Sequence, residues 1–150
     1  MAPPDIVKAT ESHIEELSRL FSAYRDFYRK KTDLEGCRSF LTERIENGDS
    51  EIYIHINEEG SQTGFVQLYP LFSSTRMAKF WLLNDLFVHP DYRGKGISKK
   101  LIEAAKELCR NTGACGMMLE TEKSNDIGNN LYPKTGFKLD TEHNFYTWDV

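Results

Sequence analysis

The stretch LNDLFVHPDYRGKGISKKLIEAAKELC, Leu83 to Cys109, passes through three textures in succession. LNDLFV is almost all apolar, the pattern of a strand covered on both faces. His89-Pro90 ends it, because proline has no N–H to give to a ladder. DYRGKGIS, Asp91 to Ser98, then sets two glycines around a lysine and behind an arginine. Ile97, Leu101, Ala104, Ala105 and Leu108 recur at helical spacing, which predicts a helix from about Gly96 to Asn111. Strand, glycine loop and helix in that order predict backbone N–H groups bared at a helix N-terminus, a setting suited to an anionic ligand.

Two nucleotide-binding loops are excluded by spacing. A phosphate loop of the Walker type needs GxxxxGK followed by Ser or Thr, and that pattern is absent. A dinucleotide fingerprint needs GxGxxG, but Gly94 and Gly96 supply only its first two glycines and position 99 is a lysine. A bare GxG is otherwise a tight turn between strand and helix.

Working outward, Ile6 to Ala9 reads as a short strand, with Thr10 or Ser12 capping the helix that follows. Ile14, Leu17, Leu20, Phe21 and Tyr24 form its apolar stripe, which assigns Tyr24 to core packing. Leu34 to Asn47 is a second helix, stopped at Asn47-Gly48. EIYIHI (Glu51 to Ile56), GFVQLYPLF (Gly64 to Phe72) and KFWLLNDLFV (Lys79 to Val88) read as three strands. Beyond the glycine-loop helix, Gly116 to Glu120 is a buried strand and Asp126 to Lys134 a short helix. Gly136-Phe137 opens a final strand pair, with Asn144 to Val150 as the last strand. No repeat or linker interrupts this order, so residues 1–150 are expected to form a single mixed α/β domain.

Composition narrows the function classes. The formal charge is −4, which argues against nonspecific nucleic-acid binding. No apolar run approaches a membrane span and the N-terminus lacks a signal-peptide pattern, so a soluble cytoplasmic protein is expected. Cys37, Cys109 and Cys115 are odd in number with no CxxC spacing, which points to free thiols and no metal site. Cys109 and Cys115 read as small buried hydrophobes.

The stretch from Leu83 to Cys109 resembles the acetyl-CoA-binding signature of the GNAT superfamily of N-acetyltransferases, (Q/R)xxGx(G/A) after a strand ending in Val-x-Pro. Arg93, Gly96 and Ser98 fall on its three key positions, with Ser98 standing where glycine or alanine is usual. NDIGNNLYPKTGFK, Asn125 to Lys138, resembles the family's second landmark, a short helix carrying Leu-Tyr and then Gly-Phe. YRDFY, QLYPLFSS and WLLNDLFV are similar to a branch that includes fungal histone and D-amino-acid acetyltransferases.

The resemblance implies a mostly antiparallel central sheet flanked by helices, with a splayed strand pair holding CoA. It implies that Arg93, Gly94, Lys95, Gly96, Ile97 and Ser98 bind the pyrophosphate of acetyl-CoA. Leu86, Phe87 and Val88 would meet the pantetheine arm, with an N–H near Leu86 or Phe87 as oxyanion donor, and Asn125 would touch the same arm or cap the short helix. Tyr132 would be the general acid for the departing thiolate, and Asp85 and Glu120 are the candidate carboxylates for the amine's proton. Tyr24, Tyr28, Asp33, Tyr69 and Trp81 are candidates to line the acceptor side, with core packing the nearer role for Tyr24. The expected activity is acetyl transfer to a small-molecule primary amine, with a protein or peptide amine, or a noncatalytic CoA-binding module, as alternatives. A homodimer is the assembly that the resemblance implies.

Overall fold

The computed structural model describes residues 5–150. The chain divides into two compact units, Met1–Leu119 and Glu120–Val150. The first unit holds the sheet, with strands β1 (Ile6–Lys8), β2 (Glu51–Ile56), β3 (Gln62–Ser73), β4 (Ala78–Val88) and β5 (Met117–Met118) in spatial order β1-β2-β3-β4-β5. Helices α1 (Ile14–Phe27), α2 (Leu34–Asn47) and α3 (Ile97–Asn111) complete it. All pairings are antiparallel except β4 with β5, which is parallel. No helix among the described residues is long and apolar enough to cross a membrane.

Local chemistry sets several boundaries. Asp33 caps α2 by accepting the Gly36 N–H at 2.9 Å, and Gly48 ends the helix in the left-handed region at φ 62°. The helices cover opposite faces of the sheet. Leu17, Leu20 and Phe21 of α1 and Cys37 and Leu41 of α2 pack on Ile52, Ile54, Phe65 and Phe87. Leu41 is fully buried, so truncation to alanine costs roughly 2–5 kcal/mol. The other face receives α3. There a Cβ on Gly64 would stand 3.2 Å from Leu101 Cδ1 and 2.9 Å from the Phe87 carbonyl, so this glycine sets how closely α3 approaches.

The β3–β4 ladder contains a bulge. Gln67 pairs with Asp85 and Leu68 with Leu83, leaving Asn84 as an extra residue on β4. A bulge resets the alternation of side chains. Asp85 and Phe87 therefore lie on the α1/α2 face, beside Gln67 and Phe65. Trp81 lies on the α3 face, where its indole Nε1 donates to Thr112 Oγ1 at 3.0 Å.

The second unit contains α4 (Asp126–Lys134). The final strand pair expected from the sequence is not formed there. Residues 139–150 make no ladder among the described residues, and Leu139, Phe145, Tyr146, Trp148 and Val150 are exposed. Alternating β-branched and aromatic residues favour an extended chain, but a strand without a hydrogen-bonding partner gains no ladder. The strand expected over Gly116 to Glu120 is likewise reduced to Met117–Met118.

Candidate active site

The glycine loop begins where β4 ends. His89 N–H donates to the Thr63 carbonyl at 2.8 Å, and a short 3-10 turn over Pro90–Tyr92 follows. Arg93 then folds back. Its Nε donates to the Val88 carbonyl at 2.9 Å, and its guanidinium lies over the rings of Phe27 and Phe87 at 5.8 and 5.6 Å. The arginine side chain thus braces the loop, and the backbone is what the loop presents. Gly94 and Gly96 both adopt φ 78°, a conformation that side chains disfavour, and a Cβ on either would meet nothing within 4 Å. Internal crowding therefore does not explain these glycines; a strained turn and an open approach do.

Gly96 is the N-cap of α3, and the Lys100 N–H closes the first helical turn on its carbonyl. The N–H groups of Ile97, Ser98 and Lys99 have no acceptor within the helix. Lys95 Nζ lies over the Tyr92 ring at 5.7 Å. Lys100 is engaged elsewhere, in an ion pair with Asp5, whose Oδ2 also faces His55 Nε2.

Upstream of this loop the sheet opens. β5 pairs with β4 among the described residues at Trp81↔Met117 and Leu82↔Met118. β4 continues to Val88. Trp81 N–H bonds the Gly116 carbonyl and the Lys79 carbonyl accepts from Cys115 N–H, so alternate backbone groups of β4 face that side. Leu83 to Val88, including the Leu86, Phe87 and Val88 expected to meet a cofactor, form an edge past the pairing with β5. β4 therefore runs six residues past its last pairing with β5, from Leu83 to Val88.

Asp85 lies at the centre of a polar cluster on the α1/α2 face and is 5% exposed. Its Oδ2 accepts from Gln67 Nε2 at 2.8 Å and its Oδ1 from Asn84 Nδ2 at 3.1 Å; the Tyr24 hydroxyl is a third partner. Burial pushes the carboxyl above the ordinary aspartate range, against the pull of these donors. Tyr69 is pushed up to about 12 by burial and by the Asp85 charge. Tyr24 packs edge-on to Tyr28, Phe65 and Phe87, with centroids 5.2, 5.5 and 5.7 Å away. Beside it, Phe21, Arg25, Asp33, Cys37 and Phe40 line an open cleft of about 310 Å³ between α1 and α2.

The structure brings together Asp85 and Tyr69, with Tyr28 one ring away through Tyr24, and sets Asp33 in the adjoining cleft. It sets Trp81, 4% exposed, on the opposite face of the sheet. Tyr24, a candidate for the acceptor side that also lies on the helix stripe, both packs in the core and reaches Asp85, and Gln67 joins it without a signal in the sequence. Cys115 is exposed, with Arg76 Nη1 3.5 Å from its Sγ, and Cys109 is half-buried, so neither is the core hydrophobe expected; the buried thiol is Cys37.

In the second unit Asn125 caps α4. Its Oδ1 accepts the Gly128 N–H at 3.1 Å and its Nδ2 donates to Thr121 Oγ1 at 2.8 Å. Tyr132 is half-buried, with its ring edge-on to Phe137 at 5.8 Å, and Phe137 N–H bonds the Tyr132 carbonyl. Gly-Phe of the Leu-Tyr…Gly-Phe landmark thus folds back on its own tyrosine. Glu120 is exposed and lies beyond the end of β5.

The β4 edge runs into a glycine loop and a bare helix end, an arrangement suited to an extended anionic ligand. The model of the Acetyltransferase (GNAT) family matches residues 14–137, and the chain belongs to that family. It is 41% identical over 146 residues to the uncharacterized N-acetyltransferase YhfO of Bacillus subtilis (strain 168), covering 97% of each chain. A crystal structure of a probable acetyltransferase matches with a TM-score of 0.92 at 36% identity, again over 97% of each chain. The aminoglycoside N-acetyltransferase AAC(6')-Iy, solved in complex with CoA, shares the fold with a TM-score of 0.81 at 21% identity, over 97% of this chain and 95% of that one. The protein is a GNAT-type acetyltransferase.

Proposed function

We propose that this acetyltransferase transfers an acetyl group from acetyl-CoA to the primary amine of a small molecule, by direct attack of the amine on the thioester. The opened edge of β4 leading into the Gly94–Gly96 loop carries the reading. Acetyl-CoA, when bound, supplies an activated acetyl thioester and a thiolate leaving group. The N–H groups between Arg93 and Ser98 bind the pyrophosphate, assisted by the positive end of the α3 dipole. Gly94 and Gly96 keep that surface clear of Cβ atoms, and Lys95 adds positive charge. The edge from Leu83 to Val88 pairs with the pantetheine amides as a neighbouring strand would, and a contact from Asn125 to the same arm is proposed from the motif that it occupies. The N–H at Leu86, which faces away from β3, donates to the acetyl oxygen as negative charge gathers on it.

The acceptor arrives protonated, because alkylamines titrate near pH 10. Asp85 binds the ammonium and takes its proton, directly or through one water. Burial raises the affinity of this carboxylate for a proton and so suits it to the task. Tyr132 gives its phenolic proton to the departing sulfur, a role proposed from the motif that it occupies. Glu120, exposed beyond β5, is the weaker of the two carboxylates for the base. The open cleft between α1 and α2, lined by Phe21, Arg25, Asp33 and Phe40, is the place proposed for the body of the acceptor.

The test is release of CoA thiol from acetyl-CoA across polyamines, L- and D-amino acids, aminoglycosides and a lysine-rich peptide. Turnover with a small amine, lost in Asp85→Asn, supports the reading. Turnover confined to the peptide moves the acceptor to protein, and acetyl-CoA binding without turnover on any amine leaves a binding module.

A further inference from the structure

Gln67 is fully buried in the middle of β3, 0% exposed, at a position where the neighbouring core residues are apolar. A buried amide costs free energy unless both of its ends are satisfied. Here both are. Ser50 Oγ, from the turn before β2, donates to Gln67 Oε1 at 2.9 Å, and Gln67 Nε2 donates to Asp85 Oδ2 at 2.8 Å. The serine fixes which way the amide points. With the hydroxyl on Oε1, the NH2 group is left facing the carboxylate. The bulge at Asn84 completes the arrangement, because it puts Asp85 and Gln67 opposite one another in the ladder.

We propose that Gln67, oriented by Ser50, is a positioning residue for acetyl transfer, holding the Asp85 carboxylate in one rotamer and one charge state for the incoming amine. The inference rests on the acetyl-transfer reading above. A hydrogen-bond donor on a carboxylate favours its charged form, whereas burial disfavours it. Gln67 therefore counteracts burial at this site. The other polar groups around Asp85 are Tyr24 of α1, Tyr69 of β3 and the adjacent Asn84. Arg44 of α2 and Asp49 act on Tyr69 and bond one another at 2.8 Å, so they bring little net charge to the cluster. Of these partners, Gln67 is the one that is both fully buried and anchored at its far end.

The experiment pairs a pH profile of kcat/KM with a carbon-13 titration of the Asp85 carboxyl, in the wild type, Gln67→Met and Ser50→Ala. Methionine keeps the volume and removes the donor; a thermal melt confirms that each variant is folded. Expected in Gln67→Met are a carboxyl midpoint and an acid limb that both move up by about one pH unit, the scale of one charge-assisted hydrogen bond. Ser50→Ala moves both in the same direction by less, since it leaves the donor but loosens it. A carboxyl midpoint that stays or falls in folded Gln67→Met overturns the inference, as does a raised midpoint with an unmoved acid limb. If the wild type acetylates no amine, the acetyl-transfer reading fails and the catalytic role of Gln67 falls with it, while the carboxyl titration still reports whether Gln67 sets the charge of Asp85.

Discussion

Arg93 Nε reaches back to the Val88 carbonyl at 2.9 Å, tying the glycine loop to the last residue of the opened strand. The bond and the two flanking aromatic rings make the arginine a brace for the loop. Arg93→Ala is therefore expected to leave the fold intact and to raise KM for acetyl-CoA roughly 5- to 20-fold, the range expected when one charge-assisted bond at a partly solvated site is lost. Steady-state kinetics with acetyl-CoA as the varied substrate check this, with kcat changing by less than KM.

Gly96→Ala separates backbone conformation from packing. The added methyl meets no atom within 4 Å, so the whole cost comes from φ 78°, about 1–2 kcal/mol. At this chain length, the melting temperature should fall by roughly 2–4 °C per kcal/mol. Acetyl-CoA affinity, read by calorimetry, should fall further than stability does, because the methyl projects into the approach to the loop.

Asp85→Asn has opposite effects on activity and stability. Burial raises the folded-state pKa of Asp85, so folding favours its neutral form. That contribution is fully present below the unfolded aspartate value and is lost as pH rises through the folded one. At neutral pH the charged side chain is thus a net cost, and the uncharged asparagine should raise the melting temperature. The gain should disappear in acid. Over the same range kcat/KM should drop by about 10²-fold or more, as expected on removing a general base. Paired melts at neutral and acid pH, alongside the kinetics, decide the matter.

Tyr132→Phe keeps the ring against Phe137 and removes only the hydroxyl. The variant should still fold, as a melt will show, while kcat falls about 10²-fold. Unaltered kcat would remove Tyr132 from the acid role.

Much of this architecture can be read in the residues because caps and stops are local. Asp33 and Asn47-Gly48 bound α2 at Leu34 and Asn47, and Asn125 caps the start of α4. The glycine loop is legible for a similar reason, since its conformation requires particular residues. The face of Asp85 is not legible. Counting along WLLNDLF puts Trp81, Leu83, Asp85 and Phe87 on one side, and only the ladder with β3 reveals that the count restarts after Asn84. Gln67 is hidden for a related reason, as a polar residue within an alternating strand reads as solvent-facing. The final strand pair does not form although its residues favour extended chain, because β propensity carries no information about a partner.

The extra residue in β4 also determines which changes this region tolerates. Asn84 is exposed, and replacing its side chain alters one bond to Asp85. Deleting the residue is a different kind of change. With ten residues where the ladder uses eleven, either Asp85 and Phe87 turn towards α3 or Trp81 and Leu83 turn into the tyrosine cluster. Sequences that drift freely in identity at this position should therefore be strict about length, and a one-residue gap there should separate active from inactive relatives more sharply than any single substitution nearby.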